Sequence, residues 1–206
     1  MKLLGRRQFI RRAMATAIGA TAVAAPISRA FADATSPVPS PQLLKRALAA
    51  FEHHGHRIWQ RRTIGIADFS MGSALPRFHL FNVEDGQSLA LLVAHGKGSD
   101  PEHSGYVHNF SNQPGSEATS SGAYLTGEGY VGKYGLSRRL IGLDPENNMA
   151  EARAIVIHPA WYVSETIASE QGKVGRSQGC FAFAEADIGQ ALSRLPPGSL
   201  IYADKL

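Results

Sequence analysis

From Thr63 onward the chain is written in short β-rich runs cut by glycine, and this punctuation limits the fold more than any other feature. The runs are Thr63 to Phe69, Arg77 to Val83, Ser88 to Val93, Tyr124 to Thr126, Tyr130 to Leu136, Ala154 to His158 and Leu200 to Ala203. They predict a mainly β domain with a few helices, an α+β chain in which strands dominate. Val83-Glu84-Asp85-Gly86-Gln87 reads as a hairpin turn, since Asp-Gly supplies the positive φ that such turns need. Pro41 to Phe51 places apolar residues at Leu44, Ala47, Leu48 and Phe51, with Pro41 suited to a first turn, and predicts one packed N-terminal helix. A short helix is expected over Asp187 to Leu195, stopped by Pro196-Pro197-Gly198. His95 to Ser121 is rich in glycine, serine and asparagine without periodicity, which predicts a long loop framing a groove.

The N-terminus carries an address. Gly5-Arg6-Arg7-Gln8-Phe9-Ile10 is a twin-arginine pattern, followed by the mildly apolar run Ala13 to Pro26 and the small-residue cleavage signal Ala30-Phe31-Ala32. Residues 1–32 are therefore expected to be a Tat-type signal peptide and the mature protein to be periplasmic. The apolar run is short and alanine-rich, so no stable membrane insertion is expected after cleavage. Residues 33–41 read as a Pro/Ser linker and residues 42–206 as one domain, long enough for a sizeable core. The signal holds Lys2, Arg6, Arg7, Arg11, Arg12 and Arg29 and no acidic residue. Taking those six from 21 basic side chains leaves 15 against 17 acidic, a formal charge of about −2. The basic balance thus belongs to the precursor, and a nucleic-acid partner is not expected. With no coiled-coil repeat or extended apolar interface pattern, a monomer is expected.

The only cysteine lies in Gly175-Arg176-Ser177-Gln178-Gly179-Cys180-Phe181. One cysteine excludes an intramolecular disulfide framework and zinc sites that need several. A thiol attacks as thiolate, and its pKa falls near a cation, a histidine or a helix start. Arg176 offers a cation four residues away, and Gly179 lets the backbone approach a substrate closely. Unpaired cysteines are also among the most buried residue types, so the turn alone leaves packing and catalysis equally open. His158 ends the apolar run Ala154 to Ile157, 22 residues before Cys180, where a buried strand delivers an imidazole to a loop. His53, His54 and His56 lack the carboxylates or second histidine pair of a metal site, and no metal or other cofactor is expected. His95, in Ala94-His95-Gly96-Lys97-Gly98-Ser99, follows an apolar strand without the spacing of a phosphate loop and is expected to shape the groove wall.

Taken together, these segments resemble YkuD-type peptidoglycan L,D-transpeptidases, specifically the divergent branch called murein L,D-transpeptidase catalytic domain proteins. The resemblance rests on Ala94 to Ser99, Phe110-Ser111-Asn112, Gly115-Ser116, Ser120 to Glu128, Gly135-Leu136-Ser137, Ile155 to His158 and Gly175 to Cys180, within Thr63 to Asp204. It implies a YkuD-like β-sandwich or barrel catalytic domain, with Cys180 as nucleophile and His158 as base. It also implies peptidoglycan stem peptides as donor and acceptor. Two positions depart from the commoner pattern: Gln178 stands where a histidine usually precedes Gly-Cys, and Ser120-Ser121 replaces a Thr-Pro segment. The implied chemistry is acyl transfer through a Cys180 thioester. The N–H groups of Gly179 and Cys180 are candidate oxyanion donors. Arg176 either tunes the thiol and holds a stem carboxylate or bonds a loop carbonyl, and Gln178 is a hydrogen-bonding group. Ser177, Ser121 and Tyr124 are candidate groove contacts. A crosslink from L-Ala to diaminopimelate (1,3) or between two diaminopimelates (3,3) is expected. An L,D-carboxypeptidase or endopeptidase using the same cysteine, or a non-catalytic wall-binding protein, are the alternatives.

Overall fold

The computed structural model describes residues 38–206, so the signal-peptide assignment and most of the linker lie outside the described residues. Helix α1 (Pro41–His53) begins where Ser40 caps it, its hydroxyl accepting the Leu43 N–H at 3.3 Å, with Pro41 in the first turn. Leu43, Ala47 and Phe51 recur at helical spacing and are its buried face.

Nine strands follow: β1 (Thr63–Asp68), β2 (Phe78–Asn82), β3 (Ser88–Leu91), β4 (Val93–Ala94), β5 (Gly122–Gly132), β6 (Gly135–Gly142), β7 (Val156–Pro159), β8 (Phe181–Phe183) and β9 (Leu200–Asp204). They form one mixed sheet in the order β3-β2-β1-β9-β5-β6-β7-β8-β4. Only the β1–β9 and β7–β8 pairs are parallel. The sheet's two end strands, β3 and β4, are separated in the chain by Leu92 alone, so the sheet curls until its ends meet. One curled sheet with few helices meets the expectation of a mainly β, barrel-like domain.

The pleat sorts side chains between two faces. Inward lie Phe78, Leu80, Tyr124, Leu140, Ile157, Phe181 and Ile201. Outward, α1 covers Ile64, Ile66, Ala123, Leu125 and Leu200. At the other end Leu92, Ala94, Ala182 and Ala184 pack under the chain around Val163, Ala168 and Val174. Between these covers, the outer face of β6, β7 and the start of β8 carries the site.

The expected hairpin forms between β2 and β3, closed by Asn82 N–H to Gln87 O at 2.8 Å and Gly86 N–H to Asn82 O at 2.9 Å. One reading needs correction, and one helix was missed. The run Tyr130 to Leu136 is not one strand but straddles the turn between β5 and β6, whose register runs Tyr130 opposite Ser137. Helix α2 (Glu165–Gln171), capped by the Ser164 hydroxyl, was not expected, because its short polar stretch has no apolar stripe. The segment from Phe181, which reads as either a strand or a helix start, begins as strand β8. The C-terminal helix α3 (Ile188–Arg194) lies where expected.

Candidate active site

The turn before β8 is tied to the neighbouring chain on every side. Ser177 N–H donates to His95 O and Lys97 N–H to Ser177 O, both at 2.8 Å. The Ser177 hydroxyl donates to Cys180 O at 2.7 Å and accepts the Gly179 N–H at 3.1 Å. Thr119 Oγ1 accepts the Gly96 N–H at 2.9 Å and donates to Gly179 O at 3.3 Å. Gly179 has φ +114°, and a Cβ there would sit 2.7 Å from Ala118 O and 2.8 Å from Ile155 Cδ1. No other residue fits.

Cys180 and His158 line one cavity of about 160 Å³ together with Tyr134, Tyr162, Arg176, Ser177 and Gln178. The parallel pairing of β7 with β8 sets His158 opposite Ala182, and alternation puts Cys180 on that same outer face. His158 Nδ1–H donates to Pro159 O at 2.8 Å, which leaves Nε2 as the lone-pair nitrogen. Tyr134 stacks on the imidazole at 4.7 Å and 27°. Burial lowers the His158 pKa against the opposing pull of the Pro159 carbonyl, so the ring is neutral at neutral pH.

Burial likewise pushes the Cys180 thiol up, against the Val156 backbone and the Arg153 cation, which pull it down. The Sγ–H points to Ala154 O at 3.6 Å. Ala154 itself has φ +52°, a conformation that non-glycine residues rarely take and that clusters at functional sites. The resting pair is therefore a neutral thiol beside a neutral imidazole.

Several expected residues play other parts. His95 is wholly buried: Arg77 Nη2 donates to its Nδ1 at 2.6 Å, and its Nε2 faces Asp100 Oδ2 at 3.3 Å. Burial first, then the Arg77 cation, hold its pKa down at about 3. It is an interior strut and not a groove wall. Asp100 stays ionised: burial raises its pKa, but the Ser104 and Gly105 N–H groups, the Ser104 hydroxyl and His95 bring it to about 2. Tyr124 is also fully buried, its hydroxyl donating to Ser120 O at 2.7 Å, so it is a core residue and not a groove contact. Ser121 is half-buried and does not line the Cys180 cavity. The Gly179 N–H is committed to Ser177 and is not free as an oxyanion donor. Gln178 reaches the cavity and donates to Glu117 Oε1 at 3.0 Å. Arg176 bonds the carbonyls of Asp100 and, at 3.0 Å, Pro101, while also lining the cavity.

The cation that acts on the thiol is Arg153, which the sequence reading missed. Its guanidinium donates to Ser111 O and Ser120 Oγ, both at 2.7 Å, and to Ala118 O, clamping the 111–120 loop beside Gly179. Its one sequence signal is an arginine set directly before the apolar run Ala154 to Ile157. The loop 95–121 is as irregular as expected after a 3₁₀ turn at Lys97–Ser99. Among the described residues no cluster of three metal-ligating side chains occurs. His54 Nε2 instead pairs with Asp144 Oδ1 at 2.8 Å.

The curled mixed sheet thus brings a histidine near one strand end and a cysteine entering the next strand to one cavity. The model for the L,D-transpeptidase catalytic domain matches residues 36–203, and the chain belongs to that family. Among solved structures, an L,D-transpeptidase from Mycobacterium smegmatis is similar at 13% identity and TM-score 0.43, covering 69% of this chain and 58% of that one. A helical cell shape determining protein from Campylobacter jejuni is similar at 11% identity and TM-score 0.46, covering 82% of this chain and 57% of that one. An L,D-transpeptidase from Xylanimonas cellulosilytica covers 69% and 60%, at 14% identity and TM-score 0.40. The chain thus spans under two thirds of the length of these structures. No curated protein matches it.

Proposed function

We propose that this protein is a peptidoglycan L,D-transpeptidase that works in the periplasm after export on residues 1–32, as a monomer. The observation that carries the reading is the shared cavity of Cys180 and His158 in a chain of this family. His158 Nε2 takes the thiol proton as Sγ attacks the carbonyl that follows an L-centre of a donor stem. Collapse of the tetrahedral adduct breaks the peptide bond. The departing D-residue amine takes the proton from His158, and the acyl group stays on sulfur as a thioester. An acceptor amine then attacks the thioester, His158 removes its proton, and the thiol is restored. With the Gly179 N–H engaged, the Cys180 N–H is the oxyanion donor we assign; such donors contribute about 2.7–4 kcal/mol each. The guanidinium edge of Arg176 left beyond its two carbonyl bonds suits a stem carboxylate.

The test is mass spectrometry of muropeptides made by purified protein, with Cys180→Ala beside it. New dimers and a thioester adduct on Cys180 are expected from the wild type and neither from the variant. Dimers linked from L-Ala to diaminopimelate or between two diaminopimelates differ in fragmentation, which assigns the 1,3 or 3,3 bond. Shortened monomers without dimers would make the protein an L,D-carboxypeptidase or endopeptidase. Undiminished dimer yield in the variant would overturn the reading.

A further inference from the structure

A second cavity, of about 380 Å³, opens beside Trp59 with Leu125 and Ile141 in its lining and Glu128, Arg139 and Glu151 among its polar groups. Trp59 is 63% exposed, yet it is not loose. Its ring lies against Gly198, where a Cβ would come within 2.0 Å of the indole, and the adjoining Gln60 N–H donates to Gly198 O at 3.1 Å. One face of the indole is thus seated on backbone, and exposure of this degree leaves much of the ring to solvent.

Strand register ties this cavity to the catalytic one. Arg139 pairs with Val156, and Ile157 with Phe181. Leu140, Ile157 and Phe181 all face the inner core, so Arg139, Val156 and Cys180 form a row on the outer face. Two strand spacings separate Arg139 from Cys180, about 10 Å. The Arg139 guanidinium is held over the Tyr130 ring at 4.9 Å, keeping it on that face.

We propose that the Trp59 cavity is a glycan subsite that holds the N-acetylhexosamine chain of peptidoglycan while a stem on the same strand reaches Cys180. This rests on the cell-wall reading above. A fixed, exposed indole matches the C–H-rich face of a pyranose, which stacks on an aromatic ring and buries apolar area at low entropic cost. The two carboxylates accept from sugar hydroxyls, and the guanidinium donates to ring, hydroxyl or acetamido oxygens. Charges of both signs around an apolar lining suit an uncharged ligand rich in donors and acceptors. A polymer lying there is already beside the thiol, so the site raises the effective concentration of stems at Cys180.

The chain has two tryptophans, so Trp161→Phe leaves Trp59 as the sole indole fluorophore. Titrating that variant with a stem-free N-acetylglucosamine tetramer is expected to change the emission saturably. By calorimetry, Trp59→Ala is expected to weaken the tetramer's binding at least tenfold and Arg139→Ala severalfold, with melting temperatures near wild type. Cys180→Ala is expected to bind the tetramer normally, so loss of crosslinking and loss of sugar binding are separate results. No binding of the tetramer by wild type, equal binding by Trp59→Ala, or occupation of the Trp59 cavity by a sugar-free stem peptide would each overturn the proposal.

Discussion

Cys180 rests as a thiol, and the reaction therefore has to begin with proton removal. Burial raises its pKa, so the thiolate fraction grows with pH throughout the neutral range. Alkylation of Cys180 by iodoacetamide is expected to speed up about tenfold per pH unit between pH 6 and 8. A pH-independent plateau in that range would mean a preformed ion pair. His158 shifts the other way: its lowered pKa keeps Nε2 available at neutral pH and moves the acid limb of kcat/KM below the ordinary imidazole value of about 6.5. His158→Gln is expected to lower kcat/KM by about 10²–10⁴-fold, with alkylation of Cys180 still possible, as measured by muropeptide turnover and mass spectrometry. Gly179→Ala tests the turn itself. Its positive φ and the Ala118 carbonyl at 2.7 Å predict a loss of roughly 2 kcal/mol or more in chemical denaturation, together with loss of activity.

At the scale of elements, helix α1 acts as a cover for the outer face near β1 and β9. Phe51→Ala empties that interface and is expected to cost about 3–5 kcal/mol in urea unfolding. The alkylation rate of Cys180 should stay within a factor of two, since the helix lies away from the site's strands. These elements also mark what a sequence can tell. The α1 stripe, the Asp85-Gly86 hairpin, and the strands through His158 and from Leu200 were legible to within a residue or two because periodicity and turn chemistry act locally. His158 was legible as a strand-end imidazole, whereas its pairing with Cys180 came from the resemblance, and the structure sets both residues on one cavity. The β5–β6 turn was not, since Lys133-Tyr134 sits inside an unbroken β-like run. Nor were the roles of His95, Tyr124 and Arg153, which depend on pairings between segments far apart in the chain. His95 follows a strand just as His158 ends one, and only the buried Arg77 and Asp100 beside it decide that it is a strut.

For the whole molecule, the His95 strut makes stability sensitive to acid. Its folded pKa of about 3 lies below the unfolded value, so between about pH 6.5 and 3 the unfolded chain binds more protons. Stability is then highest above pH 6.5 and falls with pH, by about 2 kcal/mol between pH 7 and 5 from this residue. Asp100, also depressed, adds a loss of the same sign at lower pH. Urea unfolding at the two pH values checks this, and His95→Phe is expected to flatten the profile even if it lowers stability throughout. The last strand, β9, has a different consequence. It lies mid-sheet, parallel to β1 and antiparallel to β5, so residues 63–68, which β2 pairs on one edge, find their second partner only when residues 200–204 exist. The sheet cannot close until residue 204 has been made, and a closure between segments so far apart makes folding slow for a domain of this size.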